Sequence, residues 1–185
     1  MLIKGAEMNS VLKFRPSTPD DEPFLRELRG QFDAYRLLIN CWNSQDDTLA
    51  RRILDLQYKA HQKHYQHVKD NWETKDNIIE LDGKPIGRFI ACGDKNEIKL
   101  ADILVEKRYR GLGVGQAVLD TTKAECIQSK RVLRLYVDKL DPVVQLYLKQ
   151  GFYSIEDTGT HYLMEWKPDS LPDKPHYFFK KSDGS

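Results

Sequence analysis

Arg108-Tyr109-Arg110-Gly111-Leu112-Gly113-Val114-Gly115-Gln116 is the stretch on which the reading of this chain turns. It follows an apolar run ending Ile103-Leu104-Val105 and leads into Val114, Ala117, Val118, Thr121 and Ile127, which are apolar or small at helical spacing. A strand, a glycine turn and a helix in that order aim free backbone N–H groups and the positive end of the helix dipole at one point, a natural seat for an anion. The glycines let the backbone come close to a bulky phosphate, and Lys107, Arg108 and Arg110 add local positive charge. A P-loop, G-x-x-x-x-G-K-[ST], is absent, and Gln116 stands where a dinucleotide fingerprint needs its third glycine. A tight strand-to-helix turn without a ligand is the bland alternative. The neighbouring cations favour a polyanion instead.

Upstream of the turn, Val11 to Arg15 alternates as a half-buried strand before Pro16 and Pro19 break it. A helix follows, capped in Thr18 to Glu22, with Phe24, Leu25, Leu28, Phe32 and Tyr35 on its apolar face. Asp46 and Asp47 precede a second, longer helix that runs to about Asn71 and presents Leu49, Ile53, Leu56, Ala60, His64 and Val68. Three β runs, Asn77 to Leu81, Lys84 to Cys92 and Glu97 to Val105, are joined by turns at Asp82-Gly83 and Gly93 to Asn96, as in an antiparallel meander. Downstream come the strand Val132 to Val137, a short helix opened by Asp141-Pro142 and closed by Gly151, and two final strands, Phe152 to Ile155 and Tyr162 to Trp166. This order predicts a mixed sheet with helices packed on it.

The chain's 185 residues suit one domain, residues 11–167, with a segment 1–10 before it and a loosely ordered tail 168–185 after it. Lys and Arg total 29 against 28 Asp and Glu, so the net charge of +1 draws the chain to neither nucleic acid nor an anionic membrane. Cys41, Cys92 and Cys126 form no C-x-x-C pair, which disfavours a disulfide framework or a thiolate zinc site. No apolar run reaches about 18 residues and Met1 to Ser10 lack a signal peptide's apolar centre, so a cytoplasmic protein is expected.

Arg108, Gly111 and Gly113 match in register the acetyl-CoA motif [QR]-x-x-G-x-[GA], and Leu146-Tyr147-Leu148-Lys149-Gln150-Gly151-Phe152 looks like L-Y-x-x-x-G-F. In these motifs, and in the order of elements over residues 11–166, the sequence resembles the GNAT-type N-acetyltransferase superfamily. The resemblance implies an α/β fold of the α+β mixed-sheet kind: a twisted sheet of about seven strands with helices on both faces, splayed between the fourth and fifth strands. It places the pantetheine arm of acetyl-CoA against the backbone of Ile103, Leu104 and Val105. The pyrophosphate falls to the amides of Arg110, Gly111, Leu112, Gly113, Val114, Gly115 and Gln116. One position departs: where the family often has an asparagine seven residues before the tyrosine, this chain has Leu140, followed by Asp141-Pro142. Asp141 either substitutes or caps the short helix, and capping is the favoured reading.

Acyl transfer to an amine needs a deprotonated nucleophile, donors to the thioester oxygen and a proton for the leaving thiolate. The resemblance makes Tyr147 the proton donor. Glu97, fourteen residues before Gly111, stands where the histone-acetylating branch carries its glutamate and is the candidate base. Asp102 lies an odd number of residues from Glu97, which puts it on the opposite face of a regular strand unless a bulge intervenes. His61, His64 and His67 share one helix, with His64 the one expected to reach the pocket. No metal is expected. The expected partners are acetyl-CoA and an amine acceptor, with the edge formed by Phe152 to Trp166 open to pairing in a homodimer. A non-catalytic acyl-CoA-binding module is the alternative, and it has no need of Tyr147.

Overall fold

A computed structural model of the chain describes residues 11–36 and 47–171. The expected segment 1–10, Cys41, Trp42 and the tail beyond 171 lie outside the described residues. The element order is β1 (Leu12–Pro16), α1 (Glu22–Arg36), α2 (Asp47–Asn71), β2 (Glu73–Leu81), β3 (Lys84–Gly93), β4 (Glu97–Val105), α3 (Val114–Ser129), β5 (Val132–Asp138), α4 (Val144–Lys149), β6 (Tyr153–Asp157) and β7 (His161–Trp166). They form one seven-stranded sheet in the order β1-β2-β3-β4-β5-β7-β6. The mixed sheet read from the sequence is therefore present, and β2 starts four residues earlier than expected.

Local chemistry explains the joints. Asp82 (φ 53°) and Gly83 (φ 78°) are both left-handed, the two-residue hairpin turn whose twist matches paired strands. Asp21 closes a capping box with Thr18 before α1, and its carboxylate takes two hydrogen bonds of 2.7 Å from Arg15. Those bonds hold Asp21 down to about 2. After α4, Gly151 is left-handed (φ 80°), Phe152 N–H donates to Tyr147 O (3.0 Å) and Gly151 N–H to Leu148 O (3.0 Å), a Schellman ending.

The sheet is covered on both faces over β2–β4, so adjacent Ile78 and Ile79 are both fully buried. On one face α3 lays Val114, Ala117, Val118, Leu119 and Cys126 against Ile98, Leu100, Leu133, Leu135 and Val137. Thr121 and Ile127, read as part of that stripe, are exposed. Thr122 takes the inward place, its hydroxyl satisfied by Val118 O at 2.8 Å. On the other face α2 buries Tyr58 and Tyr65, while Leu56, Ala60 and His64 face outward. The apolar stripe expected there is thus rotated. Long aromatic side chains with satisfied hydroxyls outweigh a smaller aliphatic stripe. At the sheet's end only β6 is an open edge, because β7 lies between β5 and β6. Pro168, expected in the loose tail, is buried.

Candidate active site

The sheet's one parallel pair, β4 with β5, holds for three residues: Glu97 with Val132, Ile98 with Leu133 and Lys99 with Arg134. Beyond them β5 continues to pair with β7 as far as Asp138, and β4 with β3 as far as Val105. Each strand thus leaves its facing edge open, and the gap expected between the fourth and fifth strands is there. Within β4, Ile103 pairs with Phe89 and Val105 with Gly87, while Glu106 N–H donates to Ile86 O at 2.9 Å. Antiparallel alternation then turns the N–H and C=O of Ile103 and Val105 into the gap and those of Leu104 toward β3. Arg110 Nε occupies the Val105 carbonyl at 2.9 Å.

The glycine turn sits at the mouth of the gap. A short 3-10 turn, Lys107–Tyr109, leads through Arg110 to Gly111 (φ 77°) and Gly113 (φ 90°), both left-handed. Gly113 is the N-cap of α3, with no side-chain cap and no acidic residue in the first turn. The first intrahelical bond runs from Ala117 N–H to Gly113 O (3.0 Å), so the amides of Val114, Gly115 and Gln116 precede any intrahelical acceptor. These features fit a phosphate and leave the helix dipole uncompensated by the chain's own side chains. Of the three cations, Arg108 is turned to Glu106 (2.7 Å) and Lys107 is exposed. Arg110 lies over the Phe32 ring, 5.7 Å from its centroid.

Across the gap, α4 is tied to α3. Gln116 Nε2 donates to Gln150 Oε1 (2.7 Å) and Lys123 Nζ to Gln150 O (2.6 Å). The Asp141 carboxylate accepts from Val143 N–H at 2.9 Å in the turn that leads into α4, whose own N-cap is Val143 without a side-chain cap, so the expected capping by Asp141 is displaced to the turn before the helix. Tyr147 is half-buried, packed edge-on against Phe152 with ring centroids 5.5 Å apart. Burial pushes its phenol up to about 12, with the charges of Asp141 and Asp102 adding to it. The phenol therefore keeps its proton at neutral pH, as a donor must.

The helical wall is built on Arg29, a buried residue whose guanidinium reaches Asp33 (3.1 Å), Asp102 (3.0 Å), the Tyr65 hydroxyl (3.2 Å) and His61 Nε2 (2.6 Å). Tyr65 also donates to Asp102. Because arginine only donates, His61 Nε2 accepts and the imidazole is neutral, with its pKa lowered by burial first and by the Arg29 charge second. It is His61, not the exposed His64, that enters the wall.

Asp102 departs from the alternation of a regular strand. Ile90 pairs with Asp102 and Ala91 with Leu100, leaving Ala101 as an extra residue in β4. Cys92 pairs with Lys99, and Ile90 and Cys92 share a face of β3, so Glu97, Lys99 and Asp102 all point to the α1–α2 face. Glu97 is held at the closed end of the gap by Arg134 (2.6 Å) and Lys99 (2.8 Å). Motif reading did not assemble the cluster of Arg29, His61, Tyr65 and Asp102: the sequence singled out His61 and Asp102 separately and gave no sign of Arg29.

Strands that part after three paired residues, with a glycine-capped helix at the mouth of the gap, are the arrangement that the resemblance implied. Residues 72–154 match the family model described as acetyltransferase (GNAT) domain. Among solved structures, the fold resembles the PaiA N-acetyltransferase of Thermoplasma acidophilum in complex with coenzyme A. That match has 17% identity and a TM-score of 0.64, covering 85% of this chain and 99% of that one. An acetyltransferase from Thermus thermophilus is similar at 20% identity and TM-score 0.62, covering 85% and 97%. The Campylobacter jejuni N-acetyltransferase PseH is similar at 15% and 0.54, covering 84% and 97%. No curated protein matches the sequence. The domain match and the fold together bear out the resemblance to the GNAT acetyltransferases. No helix among the described residues is long and apolar enough to cross a membrane.

Proposed function

We propose that this protein transfers the acetyl group of acetyl-CoA to a primary amine by direct attack. The observation that carries the reading is the parting of β4 from β5 after Lys99, with the uncapped N-terminus of α3 at one end of the gap and the Tyr147 phenol on its far wall. In this reading the open backbone groups of Ile103 and Val105 pair with the amides of the pantetheine arm. The amides from Gly111 to Gln116 receive the pyrophosphate, with Arg110 released from Val105 to join them. Tyr147 gives its phenolic proton to the departing thiolate. The amine must also lose a proton, and Glu97 and Asp102 are the two carboxylates that β4 presents on its α1–α2 face.

Thermal unfolding with and without saturating acetyl-CoA tests the cofactor, with Gly113→Glu, which obstructs the anion seat, as control. Ligand at about 100 times its Kd stabilises by roughly 2.7 kcal/mol, about 5–10 °C here. A shift lost in the control supports the reading, and no shift in the parent sinks it. Tyr147→Phe should then keep the shift and lose roughly 10²–10⁴-fold in thiol release. A protein that only binds acyl-CoA would give the shift and release no thiol with any amine.

A further inference from the structure

Two carboxylates of β4 face the helical wall, and their surroundings differ. The Glu97 oxygens are each committed to a cation, Oε2 to Arg134 and Oε1 to Lys99, and Arg134 also reaches Glu165 at 2.7 Å. Two carboxylates and two cations balance there. Glu97 also sits where β4 still pairs with β5. Asp102 stands past the parting of the strands, beside open backbone. Only its Oδ2 is engaged, by Tyr65 and Arg29, and among the described residues no hydrogen bond reaches Oδ1. Its side chain is 18% exposed, sheltered from bulk water yet reachable. One guanidinium, Arg29, serves both Asp33 and Asp102, and His61 beside it is neutral. The next charge on the wall, Arg88, stacks on the Tyr65 ring at 4.7 Å and is held by Asp76 at 2.7 Å, where Lys69 also binds. From the far wall the Tyr147 phenol is near enough to feel the Asp102 charge.

We propose that Asp102, brought to the gap by the Ala101 bulge, is the carboxylate that accepts the proton of the acceptor's ammonium, with Arg29 and Tyr65 as its positioning residues. This rests on the acetyltransferase reading. An ammonium meets the negative group at Oδ1 and passes one proton to it. The freed lone pair forms the C–N bond at the thioester carbon, the C–S bond breaks, and the thiolate takes the Tyr147 proton. The surplus proton on the new amide nitrogen returns to Tyr147. The proton on Asp102 leaves to solvent, so one proton is released for each acetyl group transferred. Glu97 in this scheme is a structural ion pair. Both Glu97 oxygens are taken up by cations, whereas Asp102 keeps Oδ1 open toward an incoming ammonium.

The test compares Asp102→Asn and Glu97→Gln with 2-phenylethylamine and with hydroxylamine as acceptors at neutral pH, following thiol release and acetyl-CoA-induced thermal shift. Hydroxylamine is already uncharged and needs no base. Asp102→Asn should lose about 10²–10³-fold in kcat/KM with the alkylamine but only a few-fold with hydroxylamine, with the thermal shift kept. Glu97→Gln should treat the two acceptors alike. Tyr65→Phe, which removes a hydrogen bond to the ionised carboxylate, should move the acid limb of the kcat/KM profile to higher pH. Equal losses with both acceptors in Asp102→Asn, or the selective loss in Glu97→Gln, would overturn the proposal. If Asp102→Asn does not fold, an unmoved acid limb in Tyr65→Phe overturns it. A parent that binds acetyl-CoA but releases no thiol with either acceptor removes the enzyme reading and this proposal with it. A parent without a thermal shift fails at the cofactor.

Discussion

Gly87→Ala is the substitution that most directly tests the register on which the gap depends. Gly87 pairs with Val105, and a Cβ built on it would lie 2.5 Å from Leu104 O, 3.2 Å from Ile79 Cδ1 and 3.4 Å from Val105 Cα. The first of these is backbone, so no rotamer relieves it, and β4 must retreat by about 0.5–1 Å to restore a normal contact. Overpacking of this kind costs about 1–3 kcal/mol, offset by the roughly 0.5–1 kcal/mol that a strand gains when a glycine is replaced. The net is a loss of up to about 2.5 kcal/mol, or a Tm lower by up to about 10 °C for a chain this size. The same change at Gly30, in α1 with nothing within 4 Å of the new Cβ, should raise stability by about 0.5–1 kcal/mol. Because Leu104 O faces β3, displacing it pushes Ile103 and Val105 into the gap. The stabilisation by acetyl-CoA should therefore shrink in Gly87→Ala and persist in Gly30→Ala. Differential scanning calorimetry of both variants, with and without acetyl-CoA, reads both effects. A Gly87→Ala protein as stable as the parent with an undiminished ligand shift would refute the β3–β4 register and the gap built on it.

Two further outcomes follow from buried charge. Asp21→Asn removes the bidentate partner of Arg15 and one half of the capping box, so it should cost about 2–3 kcal/mol, discounted because Arg15 is about a third exposed and keeps Glu80. In the parent the Asp21 contribution should persist above its ordinary value of 3.8 and fade as pH drops through about 2, as acid titration followed by circular dichroism would read. His61 is neutral in the fold with its pKa below the ordinary 6.5, so the unfolded chain takes up its proton first as pH falls. That contribution is whole above 6.5 and lost on acidification below it. The drop in Tm between about pH 7.5 and 5.5 should be smaller in His61→Asn, and an equal drop would sink the assignment of a neutral imidazole on Arg29.

What could be read from the sequence was local chemistry. Gly111 and Gly113 announce the turn because only glycine takes their left-handed backbone cheaply, and Asp82-Gly83 announces the hairpin for the same reason. Asp141-Pro142 and Gly151 bracket α4 and so fix the place of Tyr147. The helical wall was not legible, because its partners meet across long separations: Arg29 reaches Asp102 over 73 residues and Tyr65 reaches it over 37. Nothing local in α2 says that Tyr65 rather than His64 turns inward. Asp102 was assigned to the wrong face by a rule that counts residues, since one unpaired alanine reverses the count and only the pairing with β3 reveals it.

The same bulge bears on why the sheet opens at all. An unpaired strand edge in the middle of a sheet is costly unless something else satisfies it or holds its neighbours apart. Here the closed end is clamped on the α1–α2 face by an ion ladder running across four strands: Lys99 and Glu97 on β4, Arg134 on β5, Glu165 on β7 and Tyr153 on β6. Beyond it, β4 is drawn toward the helices by Asp102 on Arg29 and Tyr65, and β5 stays with β7. The ladder fixes where the strands meet and the bulged aspartate fixes where they part. Arg110 on the Val105 carbonyl meanwhile satisfies one acceptor of the exposed edge. A cation at the start of the phosphate turn can exchange one oxygen acceptor for another with little net cost. The open gap is thus a folded arrangement in its own right, ready for a ligand that brings both amides and phosphates.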